Sequence, residues 1–155
     1  MSYDDLVLEA EKEGIKVIEY KFKSARIKGL YSDGVITLNS AINCTTAEKK
    51  CILAEEIGHY QTSYGNILDQ KDTGNLKQEK KARNWAYEKL VPVSKLIEAY
   101  KSGVTNRYEL AEFLDLSEEF LNDAVAHYRD KYGKYIKHGN YLIYFEPLGV
   151  LKIIE

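Results

Sequence analysis

The sequence has few cysteines, no long hydrophobic run and no excess of basic residues, which argues against a disulfide-rich, a membrane-spanning or a strongly basic DNA-binding protein. Its two cysteines, Cys44 and Cys51, cannot form a framework of several disulfides, so we expect a reducing compartment, the cytoplasm. No hydrophobic run approaches the length of about 20 residues that a membrane-spanning helix needs. The 22 basic and 24 acidic residues give a formal net charge of −2, without a basic excess to attract DNA or anionic lipid. The acidic start, residues 1–5, lacks the basic and apolar regions of a secretory leader.

What remains is the composition of an ordinary globular protein. The 155 residues are 45% hydrophobic and 30% charged, which fits one domain or a small domain with an appendage. A chain of this length can bury roughly 70% of the surface that its unfolded form exposes, so a hydrophobic core can form without disulfides or a structural metal. The chemistry of the protein therefore has to be sought in its motifs.

The first half of the chain has the pattern of a helix, a small sheet and another helix. A Ser or Thr followed three residues later by an acid forms a capping box, and such boxes predict helix starts at Ser2 and Thr45. Apolar residues alternate over 15–22, and Ser32-Asp33-Gly34 predicts the turn of a hairpin. We expect a small antiparallel sheet between the two helices.

The second half of the chain has mainly helical patterns and a β-rich end. Helices are predicted over 76–90, 94–102, 106–114 and 118–132, and turns near 139 and 147 indicate terminal β segments. The fold class is therefore α+β. We expect a core over residues 1–92 and a helical and β tail over 93–155 that packs on this core.

The most informative stretch is Leu53-Ala54-Glu55-Glu56-Ile57-Gly58-His59-Tyr60. Residues four apart lie one above the other on a helix, so Glu55 and His59 project from the same face, and Glu56 borders that face. This is the arrangement of the H-E-x-x-H helix of metallopeptidases, in which the outer pair binds zinc and the inner Glu is the general base. Here the first position is Glu, and the motif reads E-E-x-x-H.

Such a motif alone is also common on solvated helix surfaces, but its neighbours favour a site. The flanking residues, from Ile52 to Gly58, are mostly apolar or small, and charged groups among them are costly to bury unless paired or metal-bound. A further carboxylate, Glu79, lies on the next predicted helix. A metal site that draws ligands from both helices is therefore the preferred interpretation.

Two motifs in this order resemble those of the ImmA/IrrE-type zinc metallopeptidases. Residues 53–60 match the L-A-H-E-[LI]-G-H-Y helix of that family. Glu79-x-x-Ala82-x-x-Trp85-Ala86 matches its E-x-x-A-x-x-F-A helix, which ends in L-x-P, here Leu90-Val91-Pro92. The resemblance covers residues 1–92, and residues 140–148 are similar to phage-encoded members. It implies a zincin-like metallopeptidase core of one helix, a small sheet and two motif helices.

The resemblance also implies roles for individual residues. By position, His59 and Glu79 are metal ligands, Glu56 is the general base on a water that the metal activates, and Glu55 stands where a His ligand should be. A carboxylate in that position makes the metal-loaded site one charge less positive. The pKa of the metal-bound water should therefore lie above the value of about 7 found in good zinc hydrolases. An oxygen-rich site also suits manganese or iron better than a site with two imidazoles does. We expect one divalent metal, with zinc preferred and manganese or iron as alternatives.

Several alternatives stay open at this site. The chain could be an active peptidase with a carboxylate ligand, could hold a purely structural metal, or could have lost its metal. Tyr60 and Tyr64 are candidates for contacts with the oxyanion or the substrate by proximity, although packing explains tyrosines as well. Cys51 lies on the stripe of Glu55 and His59 and could offer a thiolate, but a buried, inert cysteine is the simpler explanation.

A rival interpretation is that the tail binds DNA, because residues 108–117 and the helix that follows resemble a helix-turn-helix. Charge argues against this function. Residues 109–130 contain seven acids and one arginine, namely Glu109, Glu112, Asp115, Glu118, Glu119, Asp123, Asp130 and Arg129. The second helix begins with Glu118-Glu119, where phosphates and base edges would have to approach. We therefore expect no direct DNA binding and favour a surface that docks another protein.

The sequence thus predicts a cytoplasmic metal-dependent endopeptidase. The resemblance implies that its substrate is a helix-turn-helix repressor of a phage or mobile element, whose cleavage would release genes from repression. The alternative is a catalytically inactive relative that acts as an antirepressor by binding the repressor without cutting it. We expect no membrane association.

Overall fold

Six helices and six strands, in two compact units, make up the part of the chain that the structure describes. This computed structural model describes residues 1–63 and 72–154, without the side chains of 72–75. Met1–Ala86 forms the first unit and Tyr87–Glu155 the second. The elements are α1 Tyr3–Lys12, β1 Lys16–Tyr20, β2 Gly29–Ser32, β3 Val35–Asn39, α2 Thr46–Thr62, α3 Asp72–Leu90, α4 Val93–Lys101, α5 Arg107–Leu114, α6 Glu118–Tyr132, β4 Tyr135–His138, β5 Tyr141–Phe145 and β6 Leu148–Lys152. The predicted α+β class is confirmed, and no helix in these ranges has the length and apolarity to cross a membrane.

Both helix starts that the capping boxes predict are confirmed. The hydroxyl of Ser2 accepts a hydrogen bond from the backbone N–H of Asp5 at 3.1 Å, and the Asp5 carboxylate accepts one from the Ser2 N–H at 2.9 Å. The hydroxyl of Thr45 accepts a bond from the backbone N–H of Glu48 at 3.1 Å. Since an N-cap satisfies donors that the helix leaves unpaired, Thr45 fixes where α2 begins.

The first sheet is mixed, and the prediction of a purely antiparallel sheet is wrong in this detail. β2 and β3 form the predicted hairpin, whose turn residues Asp33 and Gly34 have φ values of 49° and 78°. β1 pairs in parallel with β3, which gives the order β1-β3-β2. Residues 21–28 therefore connect the two outer strands of this sheet, β1 and β2. β3 is therefore the central strand, with Ile36 and Leu38 buried, and β2 lies at an edge of the sheet.

The connection between β1 and β2 is organised by the buried side chain of Asn39. Its amide nitrogen donates to the carbonyls of Ser24 at 3.0 Å and Ile27 at 2.7 Å. Its amide oxygen accepts the backbone N–H groups of Phe22 at 3.2 Å and Ala41 at 2.9 Å. One side chain thus satisfies three backbone groups of the segment that leads into β2 and one, that of Ala41, just after β3.

We expect the Asn39→Ala substitution to lower the free energy of unfolding by about 2–3 kcal/mol, because it leaves partly buried backbone donors and acceptors without partners. Urea unfolding of the full chain measures this change. The control is Asn140→Ala, at an exposed residue in the turn between β4 and β5. Equal midpoints for the two variants would contradict this role of Asn39.

The second unit combines α4, α5 and α6 with a separate antiparallel sheet of order β4-β5-β6, which confirms the predicted terminal β segments. The central strand β5 supplies the buried Ile143 and Phe145. The ring of Tyr128 in α6 stacks on Phe145 with centroids 5.6 Å apart, and its hydroxyl donates to the carbonyl of Val91 at 2.7 Å. The polar tip of this core tyrosine is therefore satisfied.

His127 belongs to a charged cluster within the second unit. The carboxylate of Glu88 lies 2.9 Å from the ring nitrogen Nε2 of His127 and accepts a bond from the Lys131 ammonium at 2.7 Å. Burial alone would raise the pKa of Glu88, but the bonds to Lys131 and His127 outweigh it and hold this pKa below its usual value. These contacts support a structural role for His127.

Candidate active site

The E-E-x-x-H motif lies in the middle of α2, on which most residues are buried or half-buried. Its buried residues include Leu53, Ala54 and Ile57. Glu55, Glu56 and His59 are intermediate in exposure. The motif is therefore not on a freely solvated helix face, and its charged groups are partly removed from water.

The structure brings two of the predicted metal ligands together. Nε2 of His59, on α2, lies 3.3 Å from Oε1 of Glu79, on α3. The imidazole is 22% exposed and the carboxylate 48% exposed. The pair is therefore open to solvent on the side of Glu79, as a site that admits a ligand must be.

A close contact between the two helices brings this pair together. A Cβ atom added to Gly58 would lie 2.3 Å from the carbonyl oxygen of Ala82, a distance that real Cβ atoms essentially never show. Glu79 lies one helical turn before Ala82, and His59 follows Gly58 directly. The absence of a side chain at Gly58 thus lets α3 come close enough for Glu79 to meet His59.

The carboxyl group of Glu56 lies against the edge strand β2. The backbone N–H of Tyr31 donates a hydrogen bond to it. A Cβ atom added to Gly29 would lie 3.1 Å from Cγ and 3.3 Å from Oε1 of Glu56. The edge of the first sheet therefore forms one wall of the site and holds Glu56 in place.

The pKa of Glu56 is raised to about 7, first by burial and then by the negative charges of Glu79 and Glu55, against the opposing effect of the Tyr31 N–H. Burial and like charges both disfavour the ionised carboxylate. The surroundings of Glu56 are therefore short of positive charge. A cation bound between these groups would favour the ionised form.

A divalent metal is the cofactor that this donor set suits, and His59 and Glu79 fit two of its ligand positions. Their nitrogen and oxygen atoms lie 3.3 Å apart, close enough for both to contact one ion, and His and Glu are both residue types that ligate zinc. Within residues 1–63 and 76–154, no group of three or more His, Cys, Asp or Glu side chains could hold a metal ion. The third ligand, predicted to be Glu55, stays a prediction.

The remaining candidates from the sequence have different outcomes. The ring of Tyr60 packs edge-on against that of Tyr31, with centroids 5.8 Å apart, and its role as an oxyanion or substrate contact stays a prediction. Tyr64 lies outside the described residues. Cys51 is buried, with 6% of its surface exposed, as expected for a cysteine of the core.

Sequence reasoning missed two contributions from β2, namely Gly29 and the backbone N–H of Tyr31. Every residue except proline carries a backbone N–H, so no residue type marks the donor that will meet Glu56. Gly29 at the start of a strand is a weak indication of a close approach. Only the packing of β2 against α2 identifies both.

A comparison with protein families finds one match over most of the chain. A family model described as the IrrE N-terminal-like domain, of the M78 peptidases, matches residues 10–125, which is most of the chain and extends into α6. No curated protein matches the chain. The matching family consists of metallopeptidases that are typically zinc-dependent. The chain therefore belongs to the IrrE N-terminal-like family of metallopeptidases.

Proposed function

We propose that this protein is a metal-dependent endopeptidase that cleaves a helix-turn-helix repressor of a phage or mobile element. The observation that carries the proposal is the His59–Glu79 pair beside the partly buried carboxyl group of Glu56. Family membership supports peptide hydrolysis as the type of reaction. The repressor as substrate follows from the ImmA/IrrE resemblance of the motifs.

Each residue of the site has a role in the proposed reaction. His59 and Glu79 would hold the metal, zinc in preference to manganese or iron, with Glu55 as the third ligand. A divalent ion in this position supplies Lewis acidity that activates water and polarises the peptide carbonyl. Glu56 accepts a proton from the attacking water and returns it to the leaving amine. The Tyr31 N–H orients the Glu56 carboxylate before the substrate arrives, so little reorganisation is needed.

A second candidate function is an antirepressor that binds the repressor without cleaving it. Glu55 replaces the first histidine of the family motif, and the described residues form a pair of ligands where a catalytic zinc needs three. Both observations would suit a relative in which hydrolysis has been lost and binding kept. Separating the two candidates requires a variant that removes the base and keeps the fold.

The metal site is tested by competition with a chromophoric zinc chelator, using the full chain and the His59→Ala and Glu79→Ala variants. We expect about one equivalent of metal in the parent chain. The affinity should fall at least about 100-fold in each variant, because a catalytic site has only three protein ligands. The same titration with manganese and iron(II) ranks the three metals.

The matched control for this titration is His138→Ala, because His138 is an exposed histidine on β4 in the second unit. The control should bind metal as the parent does. Retention of the parent affinity in both His59→Ala and Glu79→Ala would refute the proposed site. Cleavage is then assayed on any helix-turn-helix protein that the neighbouring reading frames encode.

A further inference from the structure

The outer side of α5 and the first turn of α6 form a surface on which exposed aromatic rings lie among carboxylates. On α5, Leu110 and Ala111 are buried, whereas Tyr108 is 60% exposed and Phe113 is 40% exposed. We call the following exposed residues the α5–α6 face: Tyr108, Glu109, Glu112, Phe113, Glu118 and Glu119. All of them belong to the second unit.

Two carboxylates of this face, Glu112 and Glu118, act on the hydroxyl of Tyr108. The hydroxyl of Tyr108 donates a hydrogen bond to Glu112, and this bond, with the charges of Glu112 and Glu118, raises the pKa of Tyr108. Glu118 lies on α6 and Glu112 on α5. The guanidinium of Arg107 on α5 also contacts Asn122 on α6, so the two helices meet beside this face.

Positive charge near the face is already engaged in other contacts. The guanidinium of Arg107 donates to the amide oxygen of Asn122 at 2.6 Å, and that of Arg129 pairs with Glu146 at 3.6 Å. Some of the negative charge is engaged too, since the Glu109 carboxylate accepts the backbone N–H of Thr105 at 3.0 Å. Asn122 is a neutral partner, so Arg107 keeps its charge, and the four carboxylates of Glu109, Glu112, Glu118 and Glu119 beside it leave the face with a net negative charge.

The helix dipole explains the acidic residues of this face that lie on α6, but it does not explain the exposed aromatic rings on α5. Acids in the first turn of α6 interact favourably with the helix dipole, which accounts for Glu118 and Glu119. The dipole gives no reason to expose Tyr108 and Phe113, which project about 140° apart around α5 and flank Glu109 and Glu112. Tyrosine and phenylalanine are enriched in protein interfaces relative to the rest of the surface.

We infer that the α5–α6 face binds a cationic protein surface, whose Lys and Arg side chains pair with Glu112, Glu118 and Glu119 while its apolar residues cover Tyr108 and Phe113. Charge complementarity decides the class of partner, because carboxylates repel the phosphates of nucleic acids and attract basic proteins. This function goes beyond the proposed hydrolysis, since it needs neither Glu56 nor a metal. A protein surface built to contact DNA phosphates has the required chemistry.

The probe for this inference is an amphipathic helical peptide with Arg on one face and Leu on the other, and its counterpart carries Glu in place of Arg. Binding to the full-length Glu56→Gln chain is measured by fluorescence anisotropy at low and high salt. In this background, hydrolysis cannot affect the result. We expect the Arg peptide to bind and the Glu peptide to fail.

Variants of the face separate its two components. We expect the double variant Glu112→Gln and Glu118→Gln to weaken binding about fivefold at low salt and little at high salt, as for exposed ion pairs. Tyr108→Ala should weaken binding about tenfold at both salt concentrations. The controls are Glu11→Gln with Asp130→Asn, at exposed carboxylates that are not part of the face, and Tyr20→Ala, whose ring is 61% exposed.

Circular dichroism of each variant verifies that the fold is retained, which the exposure of these side chains leads us to expect. The inference is overturned if the face variants bind the Arg peptide as their controls do, or if the Arg and Glu peptides bind equally. Self-association of the parent chain that Tyr108→Ala abolishes would also overturn it, because the face would then be covered by a second copy.

Discussion

Replacing Glu56 by Gln is expected to reduce the rate of repressor cleavage by about 10²–10⁴-fold and to leave metal binding intact. Glutamine has the shape of glutamate and can accept the Tyr31 N–H, but it cannot take a proton from water. Single-turnover cleavage of the repressor, followed by mass spectrometry, measures the rate. Glu11→Gln, an exposed acid on α1, should cleave as the parent does.

The same variant decides between the two candidate functions. The peptidase proposal requires that Glu56→Gln loses both cleavage and most of the relief of repression. An antirepressor that works by contact would relieve repression fully in the Glu56→Gln variant. We also expect no loss of stability, because the substitution removes a partly buried charge that lies near two other carboxylates.

The second large effect is expected at Gly58, where the Gly58→Ala substitution should lower the free energy of unfolding by about 1–3 kcal/mol. The new methyl group would lie 2.3 Å from the Ala82 carbonyl oxygen, and this neighbour is backbone that cannot rotate away. Alanine favours a helix over glycine by about 1 kcal/mol, so the loss measured is what remains after this gain. The midpoint of thermal unfolding should fall by roughly 2–4 °C per kcal/mol for a chain of this size.

The Gly58→Ala variant should also bind metal more weakly, because separating α2 from α3 moves His59 away from Glu79. Gly149→Ala is the matched control, since its added methyl group meets nothing within 4 Å and its backbone does not have a positive φ. A Gly58→Ala chain as stable as this control, with unchanged metal affinity, would mean that the close approach of the helices is unimportant for the site.

Local sequence patterns predicted the helices of this protein well, for a physical reason. Ser2 and Thr45 satisfy backbone donors three residues ahead of them, so the interaction that starts each helix lies within one turn of the chain. The hairpin around Asp33-Gly34 is equally local. The parallel pairing of β1 with β3 is not a local feature, because the strands are separated in the chain by residues 21–34, and the contacts of Asn39 at the end of β3 with residues 22–27 are equally distant in sequence.

The sequence alone identified the candidate site residues. Helical periodicity puts Glu55, Glu56 and His59 on or beside one face of a helix, and the motif spacing adds Glu79 on the next helix. Tertiary structure decided which of them meet. Contact between His59 and Glu79 depends on how closely two helices pack at Gly58, and the surroundings of Glu56 depend on an edge strand whose contribution is a backbone N–H. Neither the packing distance nor a backbone donor is encoded in a local pattern, because each arises only when segments distant in the chain come together.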